Sequence, residues 1–251
     1  MSDLFDIAGK VVVVTGAGSG IGQGVALGLA ARGAQVYAAD VNADGLAETK
    51  AGDARILTVV TDVSKEQEVE ALFDQVLSAE GKIDVVFANA GISGTPKSID
   101  ELEFAEWQRV HDVNLHGTFL TARGAARRMK AAGRGKIILT ASTWGIRGTD
   151  CAPFTAYAAS KGAVVNLTRQ LALELAARGI TVNAIAPGGF ATNMANGVLD
   201  EAAEAALFAR MPMQKFVAPA EMVGPAVFLA SAASDYITGV LLPVDGGYLA
   251  A

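Results

Sequence analysis

The sequence is poor in the residues that build disulfide-bonded or metal-centred proteins. Its 251 residues include one cysteine, Cys151, and two histidines. A single cysteine excludes an intramolecular disulfide and a metal site with several cysteine ligands, which is typical of a reducing compartment. His111 and His116 are five positions apart, so they lie on different faces of a helix and a metal site that they share is disfavoured. We therefore expect a cytoplasmic protein without a metal.

An excess of positive charge is missing as well. The chain has 20 basic and 26 acidic residues and a net charge of −6 at pH 7, the wrong sign for a protein that grips a phosphate backbone. Residues 11–31 contain no charge but hold six glycines, which argues against a membrane span. Asp3 and Asp6 stand where a secretory signal has basic residues. Nucleic acid, a membrane and a removed leader are therefore not expected.

Short apolar runs alternate with stretches rich in alanine and leucine. The runs lie at residues 11–14, 36–39, 56–60, 85–88, 137–139, 182–186 and 241–244. The helical stretches lie at residues 21–31, 67–79, 107–132, 158–177 and 220–232. Parallel strands need crossover connections, which the helices supply. The pattern predicts an α/β fold: a doubly wound, Rossmann-type domain with a seven-stranded parallel sheet and helices on both faces.

No linker rich in proline, glycine or serine divides the chain, so one domain over residues 1–251 is expected. After the sixth apolar run, a long segment without a clear helical pattern precedes the helix predicted at residues 220–232. Segments of this length usually carry function. We expect residues at about 188–215 to form a lid over a substrate.

A glycine-rich turn follows the first predicted strand. Glycine lets the backbone turn tightly and approach a pyrophosphate, and the next helix offers free N–H groups to the anion. The G-x-G-x-x-G spacing is not met, because its third glycine would fall at Ile21. A mobile loop with close helix–strand packing is the alternative. The cofactor-binding residues predicted in this turn are Gly16, Ser19, Gly20, Ile21 and Gly22.

Asp40 ends the second apolar run, 24 residues after Gly16. An acid near this offset binds the ribose hydroxyls of a dinucleotide. The 2′-phosphate of NADP would be repelled by several kcal/mol, on the order expected about 4 Å from a carboxylate at an effective dielectric near 20. Val41 and Asn42 offer no compensating charge. NAD is therefore predicted rather than NADP; the alternative is that Asp40 is a solvated turn residue.

Tyr157 and Lys161 share one face of a predicted helix, because they are four positions apart. A free phenol has a pKa near 10. An ammonium about 4 Å away contributes roughly 4 kcal/mol at an effective dielectric near 20, enough to lower that pKa by two or three units. The pair is therefore a candidate proton donor and acceptor. An ordinary surface pair at helical spacing is the alternative.

With these residues in view, nearly the whole chain resembles the short-chain dehydrogenase/reductase family. The family's T-G-x-x-x-G-x-G motif is matched by Thr15, Gly16, Gly20 and Gly22. Further matches are Asn89-Ala90-Gly91, Asn114, Ser142, Tyr157-x-x-x-Lys161 and Pro187-Gly188 followed by Thr192. Most of them stand at the carboxyl ends of predicted strands, where open α/β sheets bind ligands.

The resemblance implies hydride transfer between a nicotinamide and the carbon of an alcohol or ketone. Tyr157 would be the general acid in reduction and the general base in oxidation. Lys161 would lower the pKa of the phenol and hold the nicotinamide ribose. Ser142 would donate a hydrogen bond to the substrate oxygen, and Asn114 would hold a water that links Lys161 to solvent.

The resemblance also implies further cofactor contacts. Asp62, with Val63, would contact the adenine; Asn89 to Gly91 would line the cleft; and Thr192, after Pro187 and Gly188, would steady the carboxamide. Asp62 has an alternative interpretation, since Ser64 and Gln67 have the spacing of a capping box at the start of a helix.

The substrate pocket is predicted from the extra length between Ser142 and Tyr157, which are 15 residues apart. A bulge there would place Trp144, Cys151 and Phe154 near the substrate; if it shifts the strand end, Thr143 becomes the donor. Apolar lid residues favour a substrate with hydrophobic bulk, although sugar alcohols and sugar acids stay open. The lid residues are Phe190, Met194, Phe208 and Met211.

The function expected from these features is an NAD-dependent alcohol dehydrogenase or ketone reductase for a small or medium secondary alcohol. One alternative is a 3-oxoacyl carrier-protein reductase that uses NADPH, which Asp40 disfavours. An alternative of another class is an NAD-binding sensor or scaffold without turnover, which the complete catalytic set disfavours. The resemblance also implies a homo-oligomer, commonly a tetramer, and the apolar end of the chain is consistent with a subunit contact.

Overall fold

The seven predicted strands form one parallel sheet in the computed structural model. The structure describes residues 3–192, 194 and 201–251, with the side chains of all of these except 201–204. The strands are β1 Val11–Thr15, β2 Gln35–Asp40, β3 Ile56–Val60, β4 Val85–Ala88, β5 Gly135–Thr140, β6 Ile180–Pro187 and β7 Leu241–Val244. Their order is β3-β2-β1-β4-β5-β6-β7. The predicted α/β architecture is confirmed.

Helices connect the strands. They are α1 Gly20–Ala30, α2 Ala43–Gly52, α3 Glu66–Glu80, α4 Phe104–His111, α5 Thr118–Ala132, α6 Thr155–Leu175, α7 Glu201–Ala209 and α8 Val223–Ala230. The helical stretch predicted at residues 107–132 is confirmed, but a π-helical turn at Asp112–Gly117 lies within it, between α4 and α5. Helix α2 was not predicted; it buries few apolar side chains and begins after Asn42, whose side chain accepts a hydrogen bond from the Gly45 N–H.

Both faces of the sheet are covered. In β1, Val11 and Val13 pack into one apolar cluster with α3, α5 and α6. Val12 and Val14 pack into the other cluster, with α1 and α8. Strands buried on both faces read as continuous apolar runs, which explains why the sequence marks them so clearly.

The strand order reverses direction between β1 and β4. At such a point the chain leaves neighbouring strands toward opposite faces, and a crevice opens at their carboxyl ends. The motif residues of the sequence follow β1, β4, β5 and β6, so the topology gathers them along this edge. Among the described residues, no helix has both the length and the hydropathy to cross a membrane.

Candidate active site

A cavity of about 380 Å³ lies along the carboxyl edge of the sheet. Most of the predicted site residues line it; Gly22, Asn114, Cys151 and Phe208 are not among its lining residues. Its two ends differ in chemistry. Asp40 and Asp62 follow β2 and β3 at one end, whereas Ser142 and Tyr157 lie at the β5 and α6 end.

The glycine turn at the cavity floor is packed backbone against backbone. Gly16 has a φ of +67°, and a Cβ there would lie 2.7 Å from the Ala90 Cα. A Cβ on Gly22 would lie 2.0 Å from the Gly16 carbonyl oxygen. Ser19 precedes α1 without capping it through its side chain, so the first N–H groups of the helix have no intrahelical partner. This arrangement fits the pyrophosphate of a dinucleotide.

Asn89 joins three strand ends. Its Nδ2 donates to the Thr15 carbonyl oxygen at 3.1 Å and to that of Gly16 at 3.3 Å, while its Oδ1 accepts from the Thr140 hydroxyl at 3.3 Å. The side chain therefore shapes the glycine turn as well as lining the cavity.

Asp40 is held at the rim of the cavity rather than free in solvent. Its Oδ2 accepts a hydrogen bond from the Gly18 N–H and its Oδ1 accepts one from the Asn42 N–H, each at 2.9 Å. A Cβ on Gly18 would lie 3.0 Å from the Asp40 Cγ. The carboxylate thus has a fixed position beside the glycine turn.

Asp62 occupies a turn of its own. Its Oδ1 accepts from the Ser64 N–H at 2.9 Å and from the Ser64 hydroxyl at 2.7 Å. Glu68 accepts a hydrogen bond from the Asp62 N–H at 2.7 Å. The alternative interpretation, a capping box of Ser64 and Gln67, is wrong, because the serine hydroxyl donates to Asp62 and α3 begins at Glu66 after Lys65, which makes no side-chain cap.

Helix α6 presents Tyr157 and Lys161 to the cavity, but the expected acidification of the phenol is wrong for this structure. The Lys161 Nζ donates to the Thr140 carbonyl oxygen at 2.7 Å and lies 5.8 Å from the centre of the Tyr157 ring. Burial raises the pKa of Tyr157, and a hydrogen bond with Ser142 lowers it to a smaller extent. Burial also lowers the pKa of Lys161 to about 8. The cost of desolvating a phenolate outweighs the other effects.

Ser142, rather than Thr143, is the hydroxyl next to the phenol. The Ser142 Oγ also accepts from the Trp144 N–H at 3.2 Å. In the predicted bulge, the Trp144 ring stacks on Phe154 at 5.2 Å and meets Tyr157 edge-on at 6.1 Å, measured between centroids. Cys151 packs beside the cavity wall, in an apolar cluster with Trp144.

Asn114 lies in the π-helical turn and is fully buried. Its Nδ2 donates to the Ile92 carbonyl oxygen at 2.9 Å and to the Ser160 hydroxyl at 3.1 Å, and its Oδ1 accepts from the Ile92 N–H at 2.8 Å. The side chain therefore fixes the loop after β4. A Cβ on Gly91 would lie 3.3 Å from both the Asn114 Oδ1 and the Lys161 Nζ, which places the amide and the amine on one side of that loop.

The predicted lid is described in part. Phe190, Met194 and Met211 line the cavity, and Phe208 stacks on Phe216 with 4.5 Å between ring centroids. Residues 193 and 195–200 of this prediction lie outside the described residues.

Several lining residues were not predicted from the sequence, among them Leu207, Phe216 and Tyr248. Tyr248 stands in the chain end that the sequence analysis treated as a subunit contact. The signal that could have identified it is the pair Gly246-Gly247, whose φ values of +63° and +91° turn the chain sharply after β7.

Comparison with known proteins finds an enzyme family and a dehydrogenase that match nearly the whole chain. The model of a family described as enoyl-(acyl carrier protein) reductase matches residues 16–249. The cis-4-hydroxycyclohexanecarboxylate dehydrogenase of Sinomonas cyclohexanicum is 42% identical over 246 residues, which cover 97% of this chain and 98% of the relative.

Solved structures agree in fold. A short-chain type dehydrogenase/reductase from Mycobacterium marinum superposes with a TM-score of 0.93 at 38% identity, covering 98% of each chain. A candidate NAD(P)-dependent gluconate 5-dehydrogenase from Beutenbergia cavernae, with NADP bound at low occupancy, gives 0.92 at 40% identity, covering 99% of this chain and 100% of the other.

Proposed function

The chain belongs to the short-chain dehydrogenase/reductase family, and on that premise we propose that it is an NAD(H)-dependent oxidoreductase that interconverts a secondary alcohol and a ketone (EC 1.1.1.-). One observation carries the proposal. Ser142, Tyr157 and Lys161 converge at one end of a cavity whose other end holds the glycine turn and the Asp40 carboxylate. Such a cavity joins a dinucleotide site to groups that handle a proton.

The residues of the cavity fit a nicotinamide dinucleotide. Packing leaves no room for side chains at Gly16 and Gly22, so a pyrophosphate can approach the backbone beside Ser19, Gly20 and Ile21. When bound, the cofactor supplies or accepts a hydride at ring carbon C4. Asp40 would bind the adenosine ribose, and Thr192 would steady the carboxamide. The remaining contacts would come from Asp62, Val63, Asn89, Ala90, Gly91, Pro187 and Gly188.

Tyr157 is proposed to move the proton. Because burial raises the pKa of its phenol, the group is protonated at neutral pH and ready to donate to a ketone oxygen in reduction. Oxidation needs the phenolate, so a higher pH favours it. Ser142 would donate a hydrogen bond to the same oxygen. Lys161 would bind the ribose and oppose the burial effect with its charge, while Asn114 would hold the loop after β4 in place and support the water path of Lys161.

The two alternative functions, a carrier-protein reductase and a sensor, fit the residues of the site less well. A 3-oxoacyl carrier-protein reductase that uses NADPH would need a cation near the adenosine ribose; among the described lining residues, Asp40 and Asp62 are the charged groups at that end. A sensor without turnover would not need Ser142, Tyr157 and Lys161 together. We further propose a single catalytic domain over residues 1–251 with a lid at about 188–215, acting in the cytoplasm as a homotetramer.

The test is an assay of ketones of graded polarity with NADH and NADPH side by side. Steady oxidation of NADH by a subset of ketones is the expected result. Binding of NADH without turnover of any ketone would favour the sensor, and a preference for NADPH would favour the carrier-protein reductase.

Replacing Asp40 with asparagine is expected to reduce the preference for NADH over NADPH by at least tenfold. The change removes the charge that repels a 2′-phosphate, a repulsion of up to several kcal/mol at an effective dielectric of about 20. The measurement is kcat/KM with each cofactor. Asp44→Asn, which removes the same charge from the exposed first turn of α2, is the matched control; an equal shift in both variants would contradict a specific role for Asp40.

A further inference from the structure

The catalytic phenol lies against an aromatic wall. The Trp144 ring meets the Tyr157 ring edge-on at 6.1 Å and stacks on Phe154 at 5.2 Å, measured between centroids. All three side chains line the cavity. A ketone whose oxygen lies at Tyr157 therefore places one of its substituents beside the rings of Trp144 and Phe154.

The segment after β6 continues this apolar surface. Leu207, Met211 and Phe216 line the cavity and share one apolar cluster with Trp144. Gly189 makes their position possible, because a Cβ there would lie 2.2 Å from the Phe216 Cδ1 and 3.0 Å from the Met211 Sδ. The cavity next to the phenol is thus bounded by carbon-rich side chains on both sides, and the burial of a hydrocarbon group between them is favourable.

The hydroxyls beside this wall are engaged or buried. Ser142 and Tyr157 are hydrogen-bonded to each other and are assigned to the reacting oxygen. The Ser93 hydroxyl donates to the Gly94 carbonyl oxygen at 3.2 Å, and the Tyr248 hydroxyl is buried within the apolar cluster. A substrate rich in hydroxyls would lose water here and gain few partners, which is costly.

The charges that line the cavity do not suit a substrate carboxylate. Of the charged side chains in the described lining, Asp40 and Asp62 lie at the opposite end, and the Lys161 ammonium donates to the Thr140 carbonyl oxygen. The lid sequence at residues 193 and 195–204 has three acidic residues and no lysine, arginine or histidine. The charges on the lid are therefore of the sign that repels a carboxylate.

Two arginines are close to the wall in the sequence, and both have partners elsewhere. Arg147 donates to the Ala251 carbonyl oxygen at 3.0 Å. Arg210, which directly precedes Met211, forms an ion pair with Asp150. Neither arginine is among the lining residues of the cavity. A carboxylate at this end would lose its hydration without gaining an opposite charge, and that cost exceeds the cost for a neutral polar group.

We propose that the larger substituent of the substrate is an uncharged hydrocarbon group, which packs between the Trp144–Phe154 pair and the side chains of Leu207, Met211 and Phe216. The substrate class is then an apolar secondary alcohol or ketone, and sugar acids and keto acids are poor substrates. This inference rests on the proposed function for the reaction at the carbonyl carbon.

The experiment compares three methyl ketones of nearly the same shape. They carry an isopropyl group, an amide or a carboxylate at the end of three methylene groups: 6-methylheptan-2-one, 5-oxohexanamide and 5-oxohexanoate. Because this end is remote from the carbonyl carbon, their intrinsic reactivities are similar. The wild-type kcat/KM with NADH is expected to fall in that order, with the branched ketone at least about 10²-fold above the carboxylate, which must be desolvated as an ion.

Replacing Met211 with lysine puts a cation into the wall with little change in side-chain length. The ratio of kcat/KM for 5-oxohexanoate to that for 6-methylheptan-2-one is expected to rise at least about tenfold, because the ammonium attracts the carboxylate. Met213→Lys is the matched control, since Met213 is exposed and does not line the cavity; it should leave the ratio unchanged. Melting temperatures establish that both variants fold, and the wild-type series decides the proposal without them.

Either of two results would overturn the proposal. One is a wild-type kcat/KM for the amide or the carboxylate that equals or exceeds the value for the branched ketone. The other is an unchanged ratio in folded Met211→Lys.

Calorimetric binding of the three ketones to the complex with NAD⁺, which cannot reduce them, separates this inference from the proposed function. The expected order of affinities without any turnover by NADH supports the apolar substituent and contradicts the proposed function. Equal affinities, a reversed order or no binding of the branched ketone contradict the apolar substituent, whether or not the ketones are turned over.

Discussion

Replacing Tyr157 with phenylalanine is expected to lower kcat for ketone reduction by about 10²- to 10⁴-fold, the range of a general acid. The phenol lies beside the Ser142 hydroxyl, and burial keeps it protonated at neutral pH. Phenylalanine keeps the ring that meets Trp144 edge-on but has no proton to give. Steady-state assays with NADH and a turned-over ketone measure the loss.

Two controls separate the proton transfer from folding and cofactor binding. NADH affinity and the melting temperature are expected to change little in Tyr157→Phe, because the glycine turn and Asp40 are untouched. Tyr236→Phe makes the same chemical change at a fully exposed position and should retain full activity. A Tyr157→Phe protein that keeps wild-type kcat would remove the phenol from the mechanism.

Replacing Lys161 with methionine is expected to stabilise the protein and inactivate it. The side chain is 2% exposed, and burial lowers its pKa from 10.5 to about 8. A shift of this size corresponds to about 3 kcal/mol at about 1.36 kcal/mol per unit. The cost is removed in methionine, whereas kcat is expected to fall at least about 10²-fold with the loss of the ammonium.

The buried lysine also predicts how the stability of the protein changes with pH. Below pH 8 the lysine is charged in the folded and unfolded chain, so the full cost of burial is present. Between pH 8 and 10.5 the unfolded chain alone keeps the proton, so the contribution of Lys161 to the free energy of unfolding rises with pH. Urea unfolding at pH 7 to 10 should show this rise in the wild type and in the exposed-site control Lys130→Met, and a smaller rise in Lys161→Met. Equal profiles in all three proteins would contradict the buried charge.

The sequence predicted the sheet well for a physical reason. Strand β1, for example, is buried on both faces and stands out as an uninterrupted apolar run over residues 11–14. Helix α2 was missed because only Gly45, Leu46 and Thr49 of it are buried. The π-helical turn around Asn114 was missed because the chain stays helical through it.

The candidate site, like the fold, could be predicted only in part. Most of the motifs directly follow a strand in the sequence, so their convergence on one edge of the sheet could be expected from the fold. The direction in which the Tyr157 pKa shifts could not be predicted. It depends on burial by several elements and on the Thr140 carbonyl oxygen, which accepts a hydrogen bond from the Lys161 ammonium. Tyr248 depends on the turn after β7 and on contacts with residues far away in the chain.

The most direct test of the central claim follows the hydride itself. The purified protein is given NADH that carries deuterium at C4 of the nicotinamide, prepared separately in each of its two stereochemical forms, together with a ketone that it reduces. Mass spectrometry of the alcohol should find one deuterium on the carbinol carbon with one of the two forms, and at least about 10²-fold less of this product in the same time with Tyr157→Phe. An alcohol without deuterium from either form would contradict hydride transfer in this cavity.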